Sequence, residues 1–98
     1  MTDSTENGAR RDGTGAAHTV TLLTRAGCLM CDTALAQLRA VCAEFDIEPG
    51  TVDVDEAAAT EPELRAEYGD RLPVVLLDGR EHSYFDVDEP RLRADLAR

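Results

Sequence analysis

The sequence predicts an α/β fold in which a four-stranded mixed sheet carries three flanking helices, in the order βαβαββα. Three observations predict it. A strand-like run at residues 18–24 passes directly into a helical period, which is typical of a βα unit. A near-continuous apolar run at residues 72–77 indicates another buried strand, and Asp78-Gly79 after it is typical of a hairpin turn. Because crossover helices join parallel strands and hairpins join antiparallel ones, the sheet should be mixed.

The first βα unit contains the residues that can carry chemistry. Its strand is built from apolar residues among β-branched threonines, and Arg25-Ala26-Gly27 then interrupts the pattern. From Cys31 to about Glu44, apolar residues recur at every third or fourth position, as on one buried face of a helix. Cys31 is therefore expected to face the core, whereas Cys28 precedes the first turn, where solvent can reach it. The residues of the predicted stripe are Cys31, Ala34, Leu35, Leu38, Val41, Cys42 and Phe45.

The remaining elements follow in order along the chain. Alternating valines and aspartates predict a strand at residues 51–55 with one wet face. Thr60 and Glu63 resemble a capping box, which would open a short helix that stops at Gly69. The elements after the hairpin are a strand at residues 80–87 and a helix that starts at Asp88 and ends at about Ala97.

Length and composition indicate one folded domain behind a tail. Residues 1–17 are rich in Gly, Thr, Asp, Asn and Arg without an apolar period, so we predict a disordered tail ahead of a domain at residues 18–98. The tail lacks the apolar segment of a secretion signal, and the longest strongly apolar run, Val74 to Leu77, is too short to span a bilayer. We therefore expect a cytoplasmic protein, in a compartment that keeps thiols reduced.

The formal net charge of −10 limits the classes of partner. Such a surface repels phosphate backbones and anionic lipid, so neither nucleic acid nor a membrane is an expected partner. A protein partner with a basic rim suits it better. We expect the chain itself to be a monomer.

Cys28-Leu29-Met30-Cys31 forms a C-x-x-C motif at the predicted start of the helix. Helix starts gather unsatisfied N–H groups and the positive end of the helix dipole, which stabilise a thiolate. Arg25 should lower the pKa of the Cys28 thiol further, and Asp32 should oppose this. The exposed Cys28 is thus the expected nucleophile, and the buried Cys31 the thiol that resolves the mixed disulfide.

A structural zinc site is the first alternative for the two cysteines, and it needs two further ligands. Cys42 lies about 16 Å along the helix from Cys31, and His18 lies about 20 Å away at the other end of its strand, which leaves only His82. The motif therefore favours redox chemistry without a metal or other cofactor. Two further classes stay open. In one, two chains supply cysteines to a shared iron–sulfur cluster or metal; in the other, the fold is an interaction module with idle thiols.

The run Thr-Val-Thr-Leu-Leu-Thr-Arg-Ala-Gly-Cys-Leu-Met-Cys at residues 19–31, Leu72-Pro73 and the Asp-Gly hairpin resemble the glutaredoxin branch of the thioredoxin fold. The resemblance is to small bacterial glutaredoxin-like proteins with C-x-x-C, and it covers residues 18–97. It implies a thiol–disulfide oxidoreductase with a thioredoxin-like fold. It implies further that Cys28 attacks and Cys31 resolves. The other implied site residues are Pro73, as a cis-proline facing the pair, Leu72, whose backbone would pair with a bound peptide or thiol, and Arg25, a basic residue before the motif.

Two departures from the glutaredoxin pattern bear on the electron donor. Leu29-Met30 stands where these proteins usually carry Pro-Tyr, and His82-Ser83-Tyr84 stands where they carry the Gly-Gly turn that helps to hold glutathione. We therefore expect a protein reductase or another low-molecular-weight thiol, rather than glutathione, to be the donor. The expected substrate is a disulfide-bearing protein or a small thiol compound.

Residues outside the motif have simpler interpretations. Cys42 is expected to be a buried thiol in the core. The remaining side chains of interest are expected to be solvated charges at Asp53 and Asp55, a surface histidine at His82, and packing aromatics at Tyr68, Tyr84 and Phe85, where one of the last two could form a wall for a bound thiol.

Overall fold

The computed structural model describes residues 18–98, and the predicted tail, residues 1–17, lies outside the described residues. None of the helices in the described part is long and apolar enough to cross a membrane. The elements are β1 (Val20–Thr24), α1 (Leu29–Ala43), β2 (Gly50–Asp53), α2 (Val54–Ala57), α3 (Pro62–Tyr68), β3 (Val74–Leu77), β4 (Arg80–Tyr84) and α4 (Glu89–Leu96).

The four strands form one mixed sheet in the order β2-β1-β3-β4. β1 pairs in parallel with β2 and antiparallel with β3, and β3 pairs antiparallel with β4. In this register Leu23 lies between Val52 and Val74. The ends of β1 and β2 and the start of β3 therefore meet at one edge of the sheet, just ahead of Cys28. The prediction of a four-stranded mixed sheet is confirmed.

The two faces of β1 contribute to different halves of the core. Leu22 packs with the buried stripe of α1 and with Leu92 of α4, so these two helices cover one face of the sheet. Leu23 packs on the other face with Val54 and with side chains of α3. The helical period predicted from the sequence is confirmed, since the buried residues of α1 are Cys31, Ala34, Leu38, Val41 and Cys42.

The prediction of the second strand was wrong at its end. β2 stops at Asp53, because the Asp53 carboxylate accepts hydrogen bonds from the amides of Asp55 (2.9 Å) and Glu56 (3.2 Å) and so caps α2. Alternating valines and aspartates look like a strand, but a capping aspartate in the middle of such a run starts a helix. The described residues therefore contain four helices rather than the predicted three.

The capping box predicted at Thr60 was also wrong. The hydroxyl of Thr60 donates a hydrogen bond back to the carbonyl of Ala57, because Thr60 belongs to the turn that ends α2. Glu61 is the residue ahead of α3, and its side chain makes no capping bond. Gly69 does end α3, as predicted, and its amide donates to the carbonyl of Arg65 at 2.9 Å.

The hairpin and the last helix agree with the sequence, except at the end of β4. Asp78 and Gly79 have φ of 54° and 85°, the left-handed conformation that this two-residue turn requires. β4 ends at Tyr84 rather than at residue 87, because Phe85 turns the chain with a φ of 69°. Asp88 caps α4 as predicted by accepting a hydrogen bond from the amide of Arg91.

His82 is buried, so its assignment to the surface was wrong. The residue is 8% exposed, and its Nε2 lies 2.8 Å from a carboxylate oxygen of Asp95 on α4. Arg91 also donates to the backbone carbonyl of His82. The histidine therefore joins β4 to α4, a partnership between distant residues that the polar pattern of β4 does not reveal.

Candidate redox site

Cys28 is the cap residue of α1. Its backbone is extended, and its sulfur accepts a hydrogen bond from the amide of Cys31 at 3.1 Å. Gly27, with a φ of 79°, and a 3.3 Å hydrogen bond from the Cys28 amide to the carbonyl of Arg25 form the turn that brings Cys28 to this position. Cys28 and Cys31 are joined by a disulfide, with their Cα atoms 5.2 Å apart.

The three cysteines differ in their exposure. Cys28 is half-buried, whereas Cys31 is 1% exposed and lies in the core. Cys42 is free and buried as predicted. Burial raises the pKa of the Cys42 thiol to about 11, and the nearby carboxylate of Glu48 adds to this effect. Chemistry at this site is therefore restricted to the pair in the motif, and solvent has better access to Cys28.

Leu72 and Pro73 lie beside the segment that leads to Cys28. Their peptide bond is cis, as the resemblance implied. Because Leu23 is paired with Val74, Pro73 comes opposite Thr24, the last residue of β1. Leu72 makes no backbone hydrogen bond with any other described residue.

Arg25 is held by an acidic side chain at the same edge of the sheet. Its guanidinium donates two hydrogen bonds to Asp55, at 2.7 and 3.1 Å, and a third to the carbonyl of Gly69 at 3.3 Å. The hydrogen bonds raise the pKa of Arg25 and lower that of Asp55. Arg65 also approaches Asp55, at 3.7 Å. The predicted substrate-binding residue is thus paired with Asp55 in the disulfide form of the protein.

Asp53 and Asp55 were interpreted as solvated charges, and each carboxylate also makes hydrogen bonds with other described residues. Besides capping α2, Asp53 accepts a hydrogen bond from the amide of Ala26 at 3.1 Å, so it anchors the loop ahead of Cys28. Asp55 holds Arg25, in the same loop. A signal for both roles was present in the sequence, because the carboxyl end of a parallel strand next to β1 is where α/β proteins build their sites.

Aromatic side chains surround Arg71, the residue before Leu72. Its guanidinium lies over the rings of Tyr68 and Tyr84, 5.5 and 5.9 Å from their centres, and pairs with Glu81 at 3.0 Å. The ring of Phe85 meets that of Tyr84 edge-on, with 5.0 Å between centres. Sequence reasoning missed Arg71, since residues brought together from a helix, a loop and a strand leave no periodic signal.

Residues 18–98 contain no group of three or more His, Cys, Asp or Glu side chains placed to hold a metal ion. The two histidines in this range are bonded to carboxylates elsewhere, His18 to Asp78 and His82 to Asp95, each at 2.8 Å. The group that the structure shows at the N-terminus of α1 is the disulfide of Cys28 and Cys31.

Residues 19–97 match the family described as "Glutaredoxin-like domain (DUF836)". The chain belongs to the glutaredoxin-like family. This glutaredoxin-like domain is similar to the uncharacterized protein Rv0508 of Mycobacterium tuberculosis (strain ATCC 25618 / H37Rv). The two sequences are 62% identical over 80 residues, which cover 81% of this chain and 82% of the relative. The uncharacterized protein Mb0520 of Mycobacterium bovis has the same identity and the same coverage.

A solved structure gives the fold of the glutaredoxin-like domain. The X-ray structure of target protein XcR50 from X. campestris is 34% identical in sequence, covers 81% of this chain and 96% of its own, and superposes with a TM-score of 0.57. The mixed sheet with its flanking helices is thus a thioredoxin-like fold, as the resemblance implied.

Proposed function

We propose that this glutaredoxin-like domain is a thiol–disulfide oxidoreductase that reduces disulfides through Cys28 and Cys31. The observation that carries the proposal is the bridge between a half-buried cysteine at the start of α1 and a cysteine that is 1% exposed. A purely structural bridge would not need its first sulfur at a helix start, where backbone N–H groups favour a thiolate. Membership of the glutaredoxin-like family supports the same chemistry.

The reaction takes two exchange steps. The Cys28 thiolate attacks one sulfur of the substrate disulfide, forms a mixed disulfide and expels the other substrate sulfur as a thiolate. Cys31 then loses its proton and attacks Cys28, which closes the Cys28–Cys31 bridge and expels the second substrate thiolate. The substrate gains two electrons and two protons, and the domain is left oxidised. The amide of Cys31, 3.1 Å from the sulfur of Cys28, is placed to stabilise that sulfur as a thiolate.

The backbone of Leu72 is the proposed contact for the substrate chain. Leu72 lies next to the start of β3, and no other described residue bonds to its backbone groups, so an extended segment could pair with it. Pro73 would hold Leu72 in this orientation. Arg25 would contribute through its guanidinium. Because this group already donates a hydrogen bond to Asp55, only part of its hydrogen-bonding capacity is available to a substrate.

The proposed electron donor is a protein reductase or a low-molecular-weight thiol other than glutathione. The segment His82-Ser83-Tyr84 offers a buried histidine and a half-exposed aromatic ring instead of a glycine turn. The acidic domain also gives a tripeptide with two carboxylates few positive partners, and such short-range donors matter more than net charge at physiological salt. The proposed compartment is the cytoplasm, where such donors keep thiols reduced.

Thiol titration and turnover test the proposal. The purified protein is reduced or oxidised, its thiols are counted, and mass spectrometry locates the bridge. Oxidised protein is then offered glutathione with glutathione reductase, or a thioredoxin-reductase system, with hydroxyethyl disulfide as substrate. We expect a reversible bridge between Cys28 and Cys31 and saturable turnover with the second system.

Three results would contradict the proposal in different ways. Brisk turnover with millimolar glutathione would show that the donor is wrong. A coloured or metal-containing protein would favour a carrier of a cluster or metal. No turnover with any donor, together with unreactive thiols, would favour an interaction module.

A further inference from the structure

The most exposed large hydrophobic side chains of residues 18–98 lie together beside the disulfide. They are Leu29 (80% exposed), Met30 (56%), Tyr84 (51%) and Phe85 (48%). Leu29 and Met30 occupy the two positions between the cysteines, and Phe85 packs edge-on against Tyr84. Grouping of exposed apolar side chains in this way is typical of a surface that binds another molecule.

Three of these side chains line one groove. It has a volume of about 440 Å³ and runs between the first turns of α1 and the loop after β4. A groove of this size accommodates an amino-acid side chain together with flanking backbone. Its lining residues are Leu29, Met30, Thr33, Ala34, Gln37, Phe85, Asp86 and Val87.

The loop side of the groove is preformed. The amide of Phe85 donates a 2.7 Å hydrogen bond to the carbonyl of Pro73, and the hydroxyl of Ser83 donates to the carbonyl of Asp86 at 3.0 Å. Val87 is buried in the core. The same loop is thus fixed both to the proposed substrate contact at Leu72-Pro73 and to the core, so little ordering remains to be done on binding.

The charge of the groove selects its occupant. The lining contains one carboxylate, Asp86, and no basic side chain. Asp86 forms no ion pair with another described residue. An apolar groove whose lining contains one unpaired carboxylate favours a ligand that combines a bulky apolar side chain with a cation, and it disfavours an anionic ligand.

We propose that this groove binds an extended segment of a disulfide-bearing protein, in which a large apolar residue next to the reactive cysteine enters between Met30 and Phe85 and a nearby Lys or Arg faces Asp86. The inference rests on the proposed function, since it names the substrate class of the same dithiol. The exchange steps are those given above. The groove would make the rate of these steps depend on which residues flank the substrate cysteine.

Disulfide-linked dimers of short synthetic peptides test the substrate class. In one peptide Phe and Lys flank the cysteine, in the second Gly replaces Phe, and in the third Glu replaces Lys. The single-turnover rate of reduction by the reduced protein is measured against peptide concentration, and here kcat is its maximal value and KM the peptide concentration at half of that value. Each kcat/KM is divided by the value for hydroxyethyl disulfide, which is too small to fill the groove. We expect the Gly peptide to lose about tenfold, and the Glu peptide about two- to fivefold, mainly through KM.

Variants assign the two preferences to the groove. Phe85→Asn and Met30→Gln should reduce the preference for Phe, and Asn tolerates the left-handed backbone at position 85. Asp86→Lys should reverse the preference between Lys and Glu, and high salt should weaken both forms of that preference. Glu63→Gln neutralises an exposed carboxylate on α3, away from the groove, and is the matched control. This variant should leave unchanged both the preference for Phe over Gly and the preference for Lys over Glu.

Each other result overturns the inference. Equal ratios for all three peptides, with brisk reduction of hydroxyethyl disulfide, would leave the proposed function standing and show that the groove does not select. A dimer in solution that Phe85→Asn converts to a monomer would show that a second copy covers the groove. Failure to reduce any disulfide, including the small one, would overturn the proposed function and the inference with it.

Discussion

Arg25 and Asp55 form a two-point ion pair across the edge of the sheet, with distances of 2.7 and 3.1 Å between guanidinium nitrogens and carboxylate oxygens. Arg25 belongs to the turn that carries Cys28, and Asp55 belongs to α2. The carboxylate therefore compensates the positive charge nearest in sequence to the dithiol. The reactivity of Cys28 should depend on this compensation.

Asp55→Asn should make Cys28 more reactive. With the carboxylate removed, the charge of Arg25 is free to stabilise a thiolate in the same turn. We expect alkylation of the reduced protein by iodoacetamide at pH 6.5 to become about two- to fivefold faster, and the gain to shrink in 0.5 M salt. Arg25→Gln should slow the reaction, and Glu63→Gln should leave it unchanged. An unaltered or slower rate in Asp55→Asn would show that Arg25 does not act on the sulfur.

The two cysteines of the motif should respond differently to replacement. Cys31→Ser should accumulate a mixed disulfide with substrate, because nothing remains to attack the Cys28 sulfur. Cys28→Ser should form none, since the two remaining cysteines, Cys31 and Cys42, are buried. Mass spectrometry after mixing with a peptide disulfide reads both outcomes, and Cys42→Ala is the control. Trapping through Cys31 or Cys42 would reverse the assignment of roles.

Cys42 should not react with alkylating reagents in the folded protein. Burial raises the pKa of its thiol from 9.0 to about 11, so almost no thiolate forms at pH 8. We expect one equivalent of iodoacetamide per reduced Cys31→Ser chain at pH 8, and two after unfolding in urea. The raised pKa also stabilises the fold below about pH 9, and this contribution should be lost as the pH rises from 9.0 through about 11. Rapid native labelling of Cys42 would contradict its place in the core.

Asp78 should make the fold sensitive to acid. Its pKa is lowered by the hydrogen bond from the Thr19 amide and by that from His18. A lowered pKa stabilises the folded state above the ordinary value of 3.8, and the stabilisation is lost as the pH falls through the folded value. Asp78→Asn, which keeps the left-handed turn possible, should therefore be less stable in urea at pH 7, and the difference should shrink as the pH falls below 3.8. A difference that stays constant as the pH falls below 3.8 would show that the carboxylate's charge is not involved.

The sequence was most informative where local chemistry decides the structure. The stripe of α1 and the turn at Asp78-Gly79 follow from side-chain period and backbone preference, and the structure confirms both. The approximate position of the dithiol followed for the same reason, since a helix start is recognised locally. Leu72-Pro73 is different, because its cis bond was implied by the family resemblance and not by the residues alone.

The sequence misled where a side chain's partner lies far along the chain. Asp53 looked like the wet residue of a strand, but besides capping α2 its carboxylate accepts a hydrogen bond from the amide of Ala26, 27 residues away. His82 looked solvated because its partner Asp95 lies on a helix that follows later. The groove combines residues of α1 with Phe85, and that combination exists only once the sheet has formed. Long-range pairing of polar groups leaves no periodic trace in a single sequence.

The contact between Asp78 and the residues just before β1 also determines how the domain would be oriented if it were attached to a solid surface. The Asp78 carboxylate holds His18 and the amide of Thr19 at the hairpin end of the sheet, whereas Cys28 follows β1 at the opposite end. A linker to a resin or an electrode that is joined just before His18 would therefore attach at the end of the sheet opposite the dithiol. An immobilised sample oriented in this way would present its sulfur atoms to the solution.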